Sequence, residues 1–328
     1  MNENIVPVSI LTGFLGSGKT TLLNKLVSDA KERGLKIAVL LNEVGEANVE
    51  AELIGGDVPM AEMLGGCICC QLKGDVAMEL VRIVREHRPD VVWIESTGIA
   101  QPLDIMDGVA EASLYERAAL RDIVTVVDAR HLLDRVRVGA GRTLRLMVDQ
   151  IRAASVLVLN KTDLIGPAEQ EELLEALKDW NANAPVIPAV RADVDAKLLY
   201  SGEDRVRHSE IDEAHTCDEH CSHGRHFREH SHDHVNALTY YLSKPIDSRA
   251  FEALLAGLPE GVYRAKGIVT FSDTTGQFLF QYAYKATDFM RITPQKPVHD
   301  VAVFIGEGFA ESELIKQLDQ LVHHEEKA

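Results

Sequence analysis

Three of the chain's five cysteines stand within four residues, Cys67, Cys69 and Cys70 in the run GGCICC at 65–70. Thiols crowded in this way can ligate a soft metal, act in catalysis or sense redox state, and an odd, clustered set makes a poor disulfide framework. Flanking glycines set the run apart from an ordinary buried segment in which cysteine is simply a small apolar residue. Thiolates suit Zn²⁺, Co²⁺ or Cu⁺ and are poor ligands for Mg²⁺, and three of them leave a tetrahedral site one ligand short.

A second constellation carries phosphate chemistry. GFLGSGKT, Gly13 to Thr20, fits G-x-x-x-x-G-K-[ST] and lies between an apolar run and a helical pattern. Glycines there let backbone N–H groups turn inward around phosphates, and the following helix adds the positive end of its dipole. Gly13, Gly16, Ser17, Gly18, Lys19, Thr20 and Thr21 are the expected nucleotide-binding residues, with Lys19 reaching the β and γ phosphates and the Thr20 hydroxyl coordinating Mg²⁺.

The base is read further along, at NKTD (160–163). After the run SVLVL, the Asp163 carboxylate can accept hydrogen bonds from N1–H and the exocyclic amine of guanine, with Asn160 and Lys161 beside it. Adenine offers an acceptor where Asp163 needs a donor, at a cost of about 2–5 kcal/mol. GTP is therefore expected over ATP. Glu95 in WIESTG stands at the end of another apolar run, beside the expected phosphate and Mg²⁺ position, and Gly98 can give its N–H to the γ-phosphate. A strand-end carboxylate capping the next helix is the competing reading of Glu95.

These residues need a scaffold that brings distant loops to one edge. Short β-branched runs at 7–13, 36–43, 90–97, 122–129, 155–163 and 184–190 alternate with amphipathic stretches, among them 19–32 and 76–86. That alternation predicts βαβ units, a doubly wound α/β domain with a mainly parallel sheet. From about residue 207 to 234 come eight of the 13 histidines and two more cysteines with scarcely an aliphatic side chain, so no core can form there. Cys217, His220, Cys221, His223, His226, His230, His232 and His234 offer a weak, flexible metal-capturing arm; a solvated linker is the plainer reading. Beyond 235, the runs NALTYYLSK, YRAKGIVTFS, GQFLFQYAYK and DVAVFIG with helical patterns at 248–256 and 311–322 predict a smaller α+β domain of ferredoxin-like type. The expected division is 1–205, 206–234 and 235–328.

Composition narrows the partners. With 34 basic against 51 acidic residues, the net charge of −17 argues against general affinity for nucleic acid or anionic membranes. No run approaches the ~18 apolar residues of a membrane span, and the start MNENIVPVSILTGF lacks the basic opening of a signal peptide. A cytoplasmic location is the expectation.

In this order, GFLGSGKTTLL, NEVGE, GGCICC, ESTG, VVDA, NKTD and the later RAKGIV resemble the CobW-like family of P-loop GTPases, relatives of the metallochaperone GTPases for hydrogenase and urease. The likeness runs over nearly the whole chain, and its most specific mark is Cys-x-Cys-Cys. It implies a GTP-dependent handler of a transition metal, with Cys67, Cys69 and Cys70 as ligands. NEVGE corresponds to the family's first mobile segment, so Glu43 and Glu46 are further candidates as metal ligands, Glu46 also joining Lys19, Glu95 and Gly98 in hydrolysis. His131 after VVDA matches a position near the metal in some relatives, and a helix cap or surface residue is the alternative. Two departures put the ligand set in question: Leu41 where some relatives carry a carboxylate, and Gln101 where a carboxylate commonly follows ESTG.

The resulting expectation is a slow GTPase that carries zinc to a client metalloprotein, GTP and Mg²⁺ ordering the metal site and hydrolysis releasing the ion. Cobalt delivery to cobalamin synthesis or a cobalt enzyme is the alternative cargo. A metal buffer using GTP only as a signal and a small-molecule kinase are the competing classes, the last disfavoured by NKTD. Client, oligomeric state (a homo-oligomer included) and water-activating residue are left open.

Overall fold

The computed structural model describes residues 4–42, 58–62, 69–98, 100–139, 141–200, 206–208, 235–283, 285–295 and 298–323. Glu43, Glu46, Cys67 and the arm candidates Cys217, His220, Cys221, His223, His226, His230, His232 and His234 lie outside the described residues.

The first half builds a seven-stranded sheet from β1 (Val6–Thr12), β2 (Ile37–Asn42), β3 (Met60–Glu62), β4 (Val91–Ser96), β5 (Ala118–Asp128), β6 (Val156–Asn160) and β7 (Val186–Pro188). Their order is β3-β2-β4-β1-β5-β6-β7, and every pairing is parallel. The helices are α1 (Lys19–Glu32), α2 (Cys69–His87), α3 (Pro102–Ala112), α4 (Ala129–Val138), α5 (Arg142–Arg152), α6 (Pro167–Trp180) and the short α7 (Lys197–Tyr200). Parallel strands need crossovers, and crossovers cover both faces, which is why the strand sequences read as unbroken apolar runs. All six residues of β4 are buried. On one face Val8, Ile10, Leu40 and Ile94 pack with Leu80 and Ile83 of α2 and Ile105 of α3. On the other, Leu11, Val39, Trp93 and Val126 pack with Leu22, Leu23 and Leu26 of α1.

The second half folds as β8 (Val206–His208), β9 (Val235–Tyr241), α8 (Ser248–Ala256), β10 (Val262–Thr270), β11 (Gln277–Ala283), β12 (Ala286–Ile292), β13 (Val301–Glu307) and α9 (Glu311–His323). The sheet order is β12-β11-β10-β13-β9-β8. Strands β9 and β10 flank α8, and β13 slots between them antiparallel to both, a split βαβ unit within the expected small α+β architecture. Val206–His208, at the start of the segment expected to be a linker, form an edge strand parallel to Thr239–Tyr241. A short run opening on a β-branched valine is enough to extend a sheet edge.

Both faces of this sheet's central strand, β13, are buried as well. Along β13, Ala302 and Phe304 face Phe251 of α8 and Leu314 and Leu318 of α9. The alternate residues Val301, Val303 and Ile305 join the core of the first half. Tyr241 reinforces that seam. Its hydroxyl accepts the Ala118 N–H and donates to the Ala118 carbonyl, both at 3.1 Å, and burial pushes the phenol's pKa above its ordinary range, so it stays a neutral donor. Arg264 pairs with Asp107, and Lys266 with Glu111 at 2.8 Å, across the same seam. Among the described residues, no helix is long and apolar enough to cross a membrane.

Replacing Tyr241 by Phe removes only the hydroxyl. Urea unfolding of this variant is expected to show stability lower by about 1 kcal/mol at unchanged slope, the net worth of a buried neutral hydrogen bond.

Candidate functional site

Register brings the motifs together. Leu11 of β1 stands opposite Glu95 of β4, so the chain enters the glycine-rich loop beside the carboxylate. Leu41 of β2 also stands opposite Glu95, and Asp128 of β5 opposite Asn160 of β6. All these strands run parallel, so their carboxyl ends share one edge of the sheet, the usual ligand edge of such folds.

The loop itself is tight. The Ser17 N–H donates to the Phe14 carbonyl at 3.1 Å, and α1 begins at Lys19, as the sequence predicts. Gly13 has φ of 141°, and a Cβ there would lie 2.2 Å from the Val126 carbonyl oxygen, so neither the backbone nor the space admits another residue. Thr20 and Thr21 sit in the first turn of α1. The Thr20 hydroxyl donates to Glu95 Oε1 at 2.9 Å. Glu95 and Lys19 are both buried. With Leu15, Gly16 and Gly98 they bound a cavity of about 280 Å³, which Leu41 also lines. A hydroxyl and a carboxylate oxygen in contact beside a phosphate-sized cavity form a hard, oxygen-only donor pair, which fits Mg²⁺ and not a soft ion.

A second, open cavity of about 610 Å³ is lined by Lys25, Thr162, Asp163, Ala189, Val190 and Arg191 among others. Asp163 is exposed to it. Hydrogen bonds tie the NKTD turn that lines it to the glycine-rich loop. Buried Asn160 donates to the Ser17 carbonyl and accepts the Ala192 N–H, both at 2.8 Å. Lys161, in a left-handed conformation, donates to the Gly16 carbonyl at 2.8 Å and to Asp128 Oδ2 at 2.7 Å. Thr162 gives both its N–H and its hydroxyl to the Ala189 carbonyl.

Three contributors were not singled out from sequence. Asp128 holds Lys161 with one oxygen and caps α4 through the His131 N–H with the other, at 2.9 Å; an aspartate just before a helical pattern is the signal that identifies such a cap. The loop 189–192 walls the second cavity, and its position after an apolar run at the same sheet edge marks it. Gln150 donates to the Gly98 carbonyl at 3.1 Å; its clue is a polar residue three positions after Met147 on the buried stripe of α5.

The remaining candidates divide. Gly98 lies against the glycine-rich loop. Cys69 and Cys70 form the first turn of α2, and their side chains are not described. The His131 ring meets Phe14 edge-on, centroids 5.3 Å apart, which ties it to the glycine-rich loop. Gln101 is exposed at the N-cap position of α3 and makes no side-chain cap. Among the described residues no cluster of three metal-ligating side chains occurs.

Residues 7–188 match the family described as CobW/HypB/UreG, nucleotide-binding domain, and residues 235–322 match the cobalamin synthesis protein cobW C-terminal domain. The chain is 33% identical over 229 residues to the zinc-regulated GTPase metalloprotein activator 1 of Dictyostelium discoideum, covering 59% of this chain and 48% of that protein. It is 29% identical over 324 residues to the zinc chaperone YjiA of Escherichia coli, covering 95% of this chain and 97% of that one. The chain thus spans about half the length of the first relative and nearly all of the second. Among solved structures, the Zn(II)-bound YjiA GTPase from E. coli aligns over 97% of this chain and 99% of that one, at 24% identity and a TM-score of 0.45.

Asn160→Ala removes the side chain that ties the Ser17 carbonyl to the Ala192 N–H. Stability in denaturant is expected to fall by about 2–3 kcal/mol, since two buried backbone groups lose their partner at once.

Proposed function

The chain belongs to the CobW/HypB/UreG family of nucleotide-binding proteins, and from that premise we propose that it hydrolyses GTP and uses the nucleotide cycle to carry zinc to a client protein. The observation that supports the reading is a pair of cavities at one edge of the sheet: one with the buried Thr20–Glu95 contact at the glycine-rich loop, the other with the exposed carboxylate of Asp163. The first is assigned to the triphosphate and the second to guanine.

In this reading the backbone N–H groups of Gly16 to Thr20 and the Lys19 ammonium hold the β and γ phosphates. Thr20 and Glu95 would hold Mg²⁺, which when bound neutralises charge on those phosphates. Gly98 gives its N–H to the γ-phosphate, where negative charge shifts during reaction, and such a preorganised donor lowers the barrier. Water attacks the γ-phosphorus, the bond to the β,γ-bridging oxygen breaks, and GDP, phosphate and a proton leave. Glu46 of NEVGE is the candidate for orienting the water, and the intrinsic rate is slow until a partner completes the site.

Zinc is cargo. Cys67, Cys69 and Cys70 bind it as thiolates, with Glu43, Glu46 or His131 completing the set and the residues from Cys217 to His234 serving as a loading arm. What supports a link to the nucleotide is α2: it begins at Cys69–Cys70, and its later turns pack Leu80 and Ile83 on the sheet that carries Glu95. YjiA is named a zinc chaperone; here zinc over cobalt rests on that likeness and on mixed cysteine and histidine donors. The nucleotide unit extends to residue 205 and the second unit from 235, which also takes in Val206–His208, and the cytoplasm keeps the thiols reduced.

Two measurements test this. Asp163→Ala is expected to weaken GDP and GTP binding about 100-fold while leaving ATP's weak binding unchanged, two charge-assisted hydrogen bonds being worth about 3 kcal/mol; equal effects on both bases overturn the base assignment. Competition titrations of Zn²⁺ and Co²⁺, with GDP and with a nonhydrolysable GTP analogue, should show zinc bound more tightly with the analogue, a gain lost when Cys67, Cys69 and Cys70 are all changed to Ala. Affinity indifferent to nucleotide and cysteines describes a metal buffer, and a gain for cobalt alone reassigns the cargo.

A further inference from the structure

Gln150 is 2% exposed. Its Nε2 donates to the Gly98 carbonyl at 3.1 Å and lies 3.5 Å from the Ala100 carbonyl. Its own backbone carbonyl accepts the Thr125 hydroxyl at 2.9 Å, which anchors this end of α5 to the centre of β5. The segment it grips is the turn after Glu95, closed by the Ala100 N–H on the Thr97 carbonyl at 3.1 Å. From the opposite side the same turn is pressed on the glycine-rich loop: a Cβ on Gly98 would stand 2.6 Å from Leu15 N and 3.0 Å from Leu15 Cα.

We propose that Gln150 is a positioning residue for GTP hydrolysis, fixing the Gly98 carbonyl so that the Gly98 N–H is presented to the γ-phosphate. The inference rests on the reading of the chain as a GTPase. The physical argument has three parts. Gly98 has the widest backbone freedom of any residue type, and its two peptide planes are held separately. The Ala100 N–H on the Thr97 carbonyl holds the plane that carries the Gly98 N–H, and the Gln150 amide holds the next plane, so loss of Gln150 leaves the glycine free to pivot about the first tie. Leu15 blocks translation toward the loop but not rotation. A primary amide donates two hydrogens and suits a site that faces two carbonyl oxygens, whereas a carboxylate of the same shape presents only acceptors. The grip reaches the turn that senses the third phosphate and, among the described contacts of this side chain, neither the base cavity nor Lys19. GDP binding should therefore be indifferent to it.

The test compares the full-length protein with Q150E and with Q150M, the second an uncharged chain of similar length in case the first fails to fold. Three readouts are taken: GDP affinity, affinity for a nonhydrolysable GTP analogue, and multiple-turnover phosphate release per GDP-binding site. The proposal expects GDP affinity within about twofold of the unmodified protein. It also expects weaker binding of the GTP analogue and kcat lower by about 10- to 100-fold, less than the ~100- to 1000-fold lost when a donor aimed at developing charge is removed outright, because here the donor is displaced and not deleted. Equal weakening of GDP and analogue, or unchanged kcat per binding site, makes Gln150 a packing residue and overturns the proposal. No phosphate release by the unmodified protein overturns instead the hydrolysis reading, and the two failures fall in different arms of the experiment.

Discussion

The site depends on the register of one strand pair. Leu11 opposite Glu95 fixes where β1 and β4 end relative to each other, and so sets the Thr20 hydroxyl within hydrogen-bond reach of the Glu95 carboxylate. In a parallel ladder a slip of one residue turns every side chain to the other face. Here Glu95 shares the face of Trp93, so a slip would drive it into the core formed by Ile94 and Leu40, an outcome both faces of β4 resist because each is packed against helices. The geometry of a polar pair at the sheet edge is therefore held by apolar packing beneath it, residue by residue along the strands.

The same packing extends into the second half of the chain. Val301, Val303 and Ile305 are shared with the core beneath α2 and α3, so the second sheet is a structural neighbour of the helix that starts at the cysteines. The polar contacts over this seam are unequal in weight. Arg264 is half-exposed, and its pairing with Asp107 contributes little net stability in contact with water. The buried Tyr241 hydroxyl and the apolar stripe of β13 contribute more, since removing either leaves groups or surface that water cannot reach. Whatever shifts α2 at its cysteine end must do so against this seam, and by reciprocity whatever binds at the seam biases α2.

How much of this was legible in sequence follows from what each signal encodes. Helix α1 and the phosphate loop were read to the residue, because glycine spacing and a Lys-Thr pair state a local geometry that tertiary context does not alter. The runs of β1, β2, β4, β5 and β6 are legible because burial on both faces leaves few polar interruptions. The edge strands β3, β8 and β12 are not: three-residue runs carry no periodicity, and Ala286–Ile292 is mostly exposed and lacks an apolar pattern. Asp128 and Gln150 escaped for a different reason. Their partners, Lys161 and Gly98, are 33 and 52 positions away, and a single hydrogen bond across such a separation leaves only a faint trace in composition.

At the NKTD end of the site, Asn160, Lys161 and Thr162 each make two hydrogen bonds to backbone or to Asp128, and these tie the glycine-rich loop, the NKTD turn and the loop at 189–192 together. At the Glu95 end, Thr20 donates to Glu95 and Gln150 to the Gly98 carbonyl. A segment that changes state with a bound ligand must have two arrangements close in free energy. A few hydrogen bonds, each worth about 1 kcal/mol, are of the size that binding or loss of a phosphate can outweigh.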